Sequence, residues 1–315
     1  MSSASSHFTT TAAAQRAIFV VLNRGSGKRR TSEVALRLRD MAHAANQPCE
    51  VRVVHGARDM MAAIKQARSG PYCRIVAGGG DGTLNAVASS LVGTQKEFGV
   101  LPLGTFNYFA KDFGLPLQFE DAFKYCLHGE ARSISVGELN GIPFLNSSSV
   151  GVYSKVLKAR EHTYATFGRN RLSAYWAVLQ AVTRFRVNLR AQISTDHAPA
   201  VPVRTPMIFV GRNAAQLESF ELPGGECVAN DVFAAYVLPE SDRMGLAKLA
   251  ILMAMGKIKP QKDVWMLCAS ELRVDLPQGR WLAAIDGEIR VVSPPLIFRI
   301  RRNALRAVLP NRPAT

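Results

Sequence analysis

The sequence predicts an N-terminal α/β domain with a parallel sheet, followed by a C-terminal domain that is mainly an antiparallel β-sandwich. Up to about residue 130, short apolar runs alternate with segments of helical spacing, as in a parallel sheet with helical crossovers. Beyond that point, short strand-like runs are separated by turn dipeptides, which is typical of antiparallel sheets. The domains are predicted at 15–135 and 136–315, after a disordered lead-in at 1–14, and the last residues can pack back on the first domain.

The first domain is predicted to contain four strands with helices between them. The run Ala17–Asn23 is apolar and rich in β-branched residues, as in a parallel strand that is buried on both faces. Strands are predicted at 17–23, 50–55, 73–78 and 98–104, and helices at 31–45, 57–70 and 83–91. Sheets of this kind bind ligands at the carboxyl ends of their strands. The glycine-bearing loops that follow three of these strands are therefore the first candidates for a binding site.

The second domain is predicted to consist of hairpins and short strands. Asn140-Gly141 is a strong signal for a type I′ hairpin, and Asp286-Gly287 is a second tight-turn dipeptide. A long helix is predicted at 170–185. Further strands are predicted at 187–195, 203–211, 231–238, 271–276, 280–285 and 296–302.

The chain is strongly basic, with 39 Lys and Arg against 24 Asp and Glu among its 315 residues, a net charge of +15. This favours an anionic partner, such as a nucleotide, a nucleic acid or an anionic membrane surface. The apolar runs are shorter than the roughly 20 residues of a transmembrane helix. Five scattered cysteines without a CxxC pair favour reduced thiols in the cytoplasm, and the histidines lack the spacing of a zinc site.

The first candidate loop is NRGSGKRR, Asn23 to Arg30, directly after the first strand. Gly25 and Gly27 allow the backbone to approach an anion, Ser26 adds a hydroxyl donor, and the basic residues that follow add charge. The spacing is not that of a P-loop. A phosphate cradle and an ordinary polar turn both remain open for this segment.

The second loop is GGGDGT, Gly78 to Thr83, and the third begins at Gly104-Thr105 after the fourth strand. A carboxylate at Asp81 would repel a bare phosphate, so it fits only if a divalent cation or a hydroxyl proton lies between them. Magnesium–nucleotide chemistry supplies both. The alternatives are a glycine-rich turn capped by Asp81 and, at Thr105, an ordinary helix cap.

The motifs NRGSGK, GGGDGTLN and LPLGTFNYFA, in this order, together with AAIDGEI near the C-terminus, resemble the diacylglycerol kinase catalytic family. This family includes bacterial soluble lipid kinases and sphingosine and ceramide kinases, and its N-terminal fold is shared with NAD kinases. The resemblance implies a phosphotransferase that uses ATP and Mg²⁺ to phosphorylate a lipid hydroxyl, of diacylglycerol or a related lipid. It places the chemistry in a cleft between the two domains.

The resemblance also assigns site residues. Asp81 would serve the phosphates and their magnesium, Glu288 would be the general base on the lipid hydroxyl, and Asp286 would lie close by. Asp231 would hold a structural magnesium with backbone oxygens near Val228 and Phe233. The residues expected around ATP are Asn23, Arg24, Gly25, Ser26, Gly27, Gly79, Gly80, Asp81, Gly82, Thr83, Leu84, Asn85 and Thr105.

Four positions depart from the family pattern. Ala86 and Tyr108 replace residues that are often acidic, His55 replaces a common threonine, and Val232 follows Asp231 where glycine is usual. The last departure weakens the metal assignment most. Together they indicate a divergent subgroup and leave the identity of the lipid open.

A basic segment is expected to face the membrane. Residues 153–190 carry eight Lys and Arg against Glu161 alone, with aromatic residues between them. Basic residues bind anionic surfaces and aromatic residues suit the interface, although a solvated basic helix would show the same pattern. The expected partner is thus a lipid substrate at an anionic membrane, with the protein peripheral to its inner face. The oligomeric state is open, with a homodimer among the options.

Three other functions stay open on the sequence. An NAD kinase would share GGDGT, but the NRGSGK loop and the late DGE argue against it. A nucleotide-binding or membrane-surface relative without turnover is favoured by Tyr108 and Val232. Nucleic-acid binding is supported by the net charge alone, without a groove-reading or base-stacking motif, so no nucleic-acid partner is expected.

Overall fold

The fold is taken from a computed structural model that describes residues 17–24, 31–152, 188–242, 244–245 and 264–310. Two units are distinguished, Met1–Ser135 with Arg302–Thr315, and Val136–Arg301. The helix predicted at 170–185 and nearly all of the basic segment lie outside the described residues. Within the described part, no helix combines the length and the apolar character that a membrane span requires.

The first unit is the predicted α/β domain with a parallel sheet. Its elements are β1 (Ile18–Asn23), α1 (Thr31–Ala44), β2 (Cys49–Val54), α2 (Gly56–Ser69), β3 (Arg74–Gly79), α3 (Asp81–Leu91), β4 (Glu97–Pro102), α4 (Tyr108–Asp112) and α5 (Phe119–His128). The strand order is β2-β1-β3-β4, and each of these pairs is parallel. The parallel sheet expected from the alternating pattern is therefore confirmed.

The central strand β1 explains why this sheet forms. Phe19 and Val21 alternate with Val20 and Leu22, and all four side chains are fully buried. Val20 and Leu22 belong to an apolar cluster with buried residues of α1 and α5, and α2 contacts β1. A strand covered on both faces needs apolar residues at every position, which is what the uninterrupted run supplies.

The second unit consists of two antiparallel layers. Its elements are β5 (Ala131–Leu139), β6 (Ile142–Phe144), β7 (Ser147–Gly151), β8 (Leu189–Thr195), β9 (Ala198–Thr205), β10 (Met207–Gly211), α6 (Ala214–Ser219), α7 (Gly225–Ala229), β11 (Phe233–Val237), β12 (Trp265–Ala269), β13 (Glu271–Asp275), β14 (Trp281–Ile285), β15 (Glu288–Val292) and β16 (Leu296–Val308). One layer has the order β12-β11-β10-β7-β14-β15; the other contains β16, β13, β8 and β9, with β5 paired to β16 and β6 paired to β5.

The two layers of the second unit share one apolar core. Val150 and Phe233 of the first layer lie in the same cluster as Leu272 and Phe298 of the second, and all four are fully buried. Side chains from two facing sheets that fill a common core define a β-sandwich. The predicted C-terminal architecture is confirmed.

The tight turns of this unit also follow the sequence. Asn140 and Gly141 have φ values of 47° and 83°, and Asp286 and Gly287 have 47° and 84°. These turns connect β5 to β6 and β14 to β15 with two-residue loops. Positive φ at both central residues is the requirement of the type I′ turn, which Asn-Gly and Asp-Gly meet at low cost.

Several elements differ from the prediction. The strand predicted at 203–211 is the end of β9 and all of β10, separated at Pro206, because the chain passes there from one sheet to the other. β12 and β15 are additional strands, and β16 continues six residues beyond the predicted end at 302, to Val308. Short strands such as β12, which has no β-branched residue, carry little periodic signal.

The cysteines also differ from the expectation of five reduced thiols. Cys227 of α7 and Cys268 of β12 form a disulfide with Cα atoms 5.6 Å apart, so the expectation is wrong for this pair. Cys49, Cys73 and Cys126 are free thiols. The pairing had no sequence signal because the two cysteines are 41 residues apart and come together only through the sheet.

Candidate functional site

The phosphate-loop residues of the first unit lie at one edge of its sheet. In the parallel register Leu22 is opposite Gly78, and Gly79 is opposite Pro102. The strands β1, β3 and β4 therefore end side by side, and the loops that follow them start from neighbouring positions. Residues 25–30, which include Gly25, Ser26 and Gly27 of the predicted set, lie outside the described residues.

The first and second loops are joined by a side-chain hydrogen bond. The Asn23 amide Nδ2 donates to Thr83 Oγ1 at 2.9 Å, and Thr83 is buried in the first turn of α3. A Cβ added at Gly79 would lie 2.5 Å from Thr83 Oγ1. Glycine is needed at this position because Thr83 occupies the space that a side chain would take.

The second and third loops touch through their backbones. A Cβ added at Gly104 would lie 2.5 Å from the Cα of Gly80. Real Cβ atoms do not approach a backbone atom this closely, and backbone cannot turn aside as a flexible side chain can. The absence of a side chain at Gly104 therefore allows the end of β4 to approach the end of β3.

Asp81 connects the same two loops by charge-assisted hydrogen bonds. Its carboxylate accepts the backbone N–H groups of Asn107 at 3.1 Å and Tyr108 at 2.9 Å. Burial raises the pKa of Asp81 above its ordinary range, and these hydrogen bonds oppose that shift. The residue expected to serve the phosphates thus also holds the third loop in place.

Asn107 is a site residue that sequence reasoning missed. It takes a left-handed conformation with φ of 54°, which Asn tolerates better than most residues. Its amide side chain accepts the N–H of Gly104 at 2.9 Å and donates to the carbonyl of Gly104 at 3.1 Å. Asn107 is also the N-cap of α4, so Thr105, which is exposed, does not have the capping role considered for it.

The start of α3 leaves room for an anion. A Cβ added at Gly82 would meet nothing within 4 Å, and the helix begins at Asp81 directly after Gly80. Helix N-termini favour anions because their first N–H groups have no partner within the helix. Of the remaining predicted residues, Leu84 is fully buried in the core and the Asn85 side chain accepts from Ser89.

In the second unit, Asp286 is a structural residue of its hairpin. Its carboxylate accepts three backbone N–H groups, from Leu145 at 2.7 Å, Asn146 at 2.8 Å and Ser147 at 2.9 Å. Its own N–H donates to the carbonyl of Ser147. Asp286 therefore fixes the turn between β14 and β15 to the start of β7.

Glu288, two residues further on, has a different environment. Its side chain is half exposed, and Oε2 accepts from Arg290 Nη2 at 2.6 Å. An accessible carboxylate on a fixed turn can accept a proton from a substrate hydroxyl. The structure thus separates the two carboxylates of the DGE sequence into one that holds the turn and one that faces solvent.

The residues predicted to hold a structural magnesium do not fit a metal. The Asp231 carboxylate forms an ion pair with the guanidinium of Arg212. The N–H of Asp231 donates to the carbonyl of Val228 at 3.0 Å, and Phe233 begins the buried strand β11. Within the described part of the chain, no group of three or more His, Cys, Asp or Glu could hold a metal ion.

The N-terminal part of the chain is similar in sequence to known proteins. Residues 17–139 match the family model of the diacylglycerol kinase catalytic domain. "Probable lipid kinase YegS-like" from Pseudomonas aeruginosa is 41% identical over 114 residues, which are 36% of this chain and 37% of that protein. A relative of the same name from Yersinia pestis is 29% identical over 144 residues, 44% of this chain and 47% of the relative. The matched region thus covers less than half the length of these curated relatives.

Solved structures extend the likeness of fold over almost the whole chain. A diacylglycerol kinase from Bacillus anthracis is similar with a TM-score of 0.64 and 14% identity, covering 94% of this chain and 97% of that one. Yeast NADH kinase is similar with a TM-score of 0.51 and 10% identity, covering 94% and 84%. At these identities the likeness concerns the fold alone.

The described elements form an α/β domain with a parallel sheet, followed by an antiparallel β-sandwich. Residues 17–139 match the diacylglycerol kinase catalytic domain, and the resemblance drawn from the motifs is confirmed for this part of the chain.

Proposed function

We propose that this protein is an ATP-dependent lipid kinase, which transfers the γ-phosphoryl group of ATP to the hydroxyl of diacylglycerol or a related lipid. The observation that carries the proposal is that residues 17–139 match the diacylglycerol kinase catalytic domain, and that the loops of this match meet at one sheet edge. The contacts that join them are the Asn23–Thr83 and Asp81–Tyr108 hydrogen bonds.

The nucleotide is held by the loops after β1, β3 and β4. Gly104 keeps a side chain out of the space where the second and third loops meet, and the N-terminus of α3 attracts the phosphate charge. The open space above Gly82 allows phosphate oxygens to approach the backbone. Asp81 and Asn107 keep the third loop in the position that this requires.

Mg²⁺ fits this site as the ion that binds together with the nucleotide phosphates. The Asp81 carboxylate accepts backbone N–H groups, among them those of Asn107 and Tyr108, and carboxylate oxygens are ligands that Mg²⁺ accepts. When bound, Mg²⁺ neutralises phosphate charge, and phosphates and water supply most of its ligands. Asp81 is the residue of this chain that would face it.

Glu288 takes the proton of the lipid hydroxyl. As the hydroxyl oxygen forms its bond to the γ-phosphorus, the bond from phosphorus to the β,γ-bridging oxygen breaks and ADP leaves. The hydroxyl proton passes to the Glu288 carboxylate. Asp286 does not exchange protons in this scheme, because its carboxylate is occupied by three backbone donors that fix the turn.

A kinase assay tests the proposal. Purified protein, labelled ATP and a total lipid extract are expected to yield a phosphorylated lipid, which mass spectrometry identifies. Glu288→Gln is expected to lose at least about 100-fold in rate while the melting temperature stays unchanged, because the side chain is half exposed. Glu271→Gln, which removes another exposed carboxylate paired with an arginine, is the matched control and should keep full activity.

Three results would contradict the proposal. Full lipid kinase activity in Glu288→Gln would remove Glu288 from the role of base. Phosphorylation of NAD, with no product from any lipid, would favour the NAD kinase alternative that shares the GGDGT loop. Nucleotide binding without turnover across the lipid panel would favour a regulatory relative.

The proposed place of action is the cytoplasmic face of an anionic membrane, where the protein is peripheral. The net charge of +15 supports this, since each basic residue near an anionic surface contributes about 1 kcal/mol. Co-sedimentation is expected to be strong with vesicles containing phosphatidylglycerol and weak with neutral phosphatidylcholine vesicles, and 0.5 M salt (about a 4 Å Debye length) should weaken it. Equal binding to both vesicle types would contradict an electrostatic contact.

A further inference from the structure

In the second unit, the positively charged side chain of Arg212 lies beside Asp231, the residue that the family resemblance expects to hold a metal. Arg212 follows strand β10, and its side chain is only 11% exposed. Its guanidinium pairs with the Asp231 carboxylate, which lies just after α7 in a left-handed conformation with φ of 58°. A buried guanidinium and a carboxylate satisfy each other's charge.

The backbone around Asp231 is already hydrogen-bonded. The carbonyl of Val228 accepts the N–H of Asp231 at 3.0 Å, and the carbonyl of Cys227 accepts the N–H of Val232 at 3.0 Å. A metal in this place would have to compete with Arg212 for the Asp231 carboxylate, and each of the two carbonyls already uses one of its two lone pairs. Divalent cations bind with several oxygen ligands together, so this competition disfavours them.

The same arginine connects this region to the DGE hairpin. The backbone N–H of Arg212 donates to the carbonyl of Asn146 at 2.7 Å. Asn146 in turn donates its N–H to Asp286, and its side chain accepts from the buried amide of Asn213 at 3.0 Å. An unbroken set of hydrogen bonds thus runs from Asp231 to Asp286 within the second unit.

We propose that Arg212 is an internal cation that replaces a structural divalent metal, so that the second unit holds the α7–β11 connection without a bound metal ion. The proposal is independent of the kinase reaction, because it concerns the charge that stabilises Asp231. It explains why Val232 can stand where the family has glycine, since no ligand geometry has to be kept there.

The first test compares the purified wild-type protein with and without chelator. Melting temperatures in EDTA and in millimolar MgCl₂, without nucleotide, are expected to agree within about 1 °C, because ligand linkage stabilises only a protein that binds the ligand. Elemental analysis after dialysis is expected to find no stoichiometric Mg²⁺, Ca²⁺ or Zn²⁺. A melting temperature that falls by about 5 °C or more in EDTA and returns with Mg²⁺ would overturn the proposal.

The second test removes the cation. Arg212→Gln is expected to lower the melting temperature by about 5 °C or more, because it removes a buried side chain together with its ion pair to Asp231 and leaves the space around the guanidinium unfilled. Arg204→Gln, which breaks the exposed Arg204–Glu240 pair of the same unit, is the matched control and should shift it by less than about 1 °C. An unchanged melting temperature in Arg212→Gln would overturn the proposal.

A double substitution keeps the test decisive if Arg212→Gln does not fold. Arg212→Gln combined with Asp231→Asn removes both charges, and the pair is expected to lose less stability than the sum of the two single changes. Strict additivity of the two losses would contradict a direct ion pair. Where neither single variant folds, recovery of folded protein in the double variant supports the proposal and its failure counts against it.

Discussion

At the scale of the residue, the pKa of Asp81 is subject to two opposing influences. Burial disfavours its negative charge and raises its pKa, while backbone N–H groups of Asn107 and Tyr108 favour the charge. A carboxylate that is costly to ionise is suited to a site where a nucleotide-borne cation arrives, because the cation compensates the cost. The glycine-rich motif predicted a phosphate partner, and the contacts add the role of a loop anchor.

This balance predicts a pH dependence. Because the folded-state pKa of Asp81 lies above its ordinary value of 3.8, the folded state binds the proton more tightly. Its contribution to stability is complete below pH of about 4 and is lost as pH rises through the raised pKa. The stability of Asp81→Asn relative to wild type, measured as the difference between their free energies of unfolding, should therefore increase between pH 4 and pH 7. Urea titrations at both values check this, and a constant difference would contradict it.

At the scale of the element, the nucleotide loops depend on the contact between Gly80 and Gly104. The sequence showed glycines after β3 and β4, and parallel strands predict that such ends are neighbours. It did not show that the two backbones touch, because that distance depends on how the loops pack. Asn107, which closes the third loop around Gly104, was missed for the same reason.

A matched pair of glycine substitutions tests this contact. Gly104→Ala is expected to reduce stability by about 1–3 kcal/mol and to weaken ATP binding, since its Cβ would meet the Gly80 backbone. Gly82→Ala has open space around its Cβ and lies in α3, where alanine is about 1 kcal/mol better than glycine, so it should not destabilise. Chemical denaturation compares them, and equal stability of the two variants would count against the close contact.

At the scale of the whole molecule, strand β16 is the feature that sequence reasoning described least well. It was predicted to end at 302, but it continues to Val308, and Arg306 and Ala307 pair in parallel with β4. Residues 302–315 group with the first unit. The sequence led us to expect that the last residues pack back on the first domain, but the pairing of β16 with β4 joins segments about 200 residues apart, and no local pattern predicts such a pairing.

Leu305 tests how much this returning strand contributes. It is fully buried, and Leu305→Ala is expected to cost about 2–5 kcal/mol in the free energy of unfolding. Leu36→Ala, on an exposed position of α1 with 59% of its side chain accessible, should change stability by less than about 0.5 kcal/mol. Urea denaturation of the two variants gives the comparison. A loss below about 1 kcal/mol in Leu305→Ala, which is half the smallest value usual for a buried leucine, would show that the strand contributes little to stability.

The sequence by itself determined the parallel first sheet, the type I′ turns and the glycine-bearing loops after β3 and β4, because each depends on residues close together in the chain. Apolar runs, helical spacing and Asn-Gly or Asp-Gly pairs act over a few residues. Only the tertiary structure decided that Asp286 anchors the hairpin while Glu288 faces solvent, that Arg212 pairs with Asp231, and that β16 returns to β4. The physical reason is that burial, charge pairing and backbone contact are set between residues that the chain brings together only after it has folded.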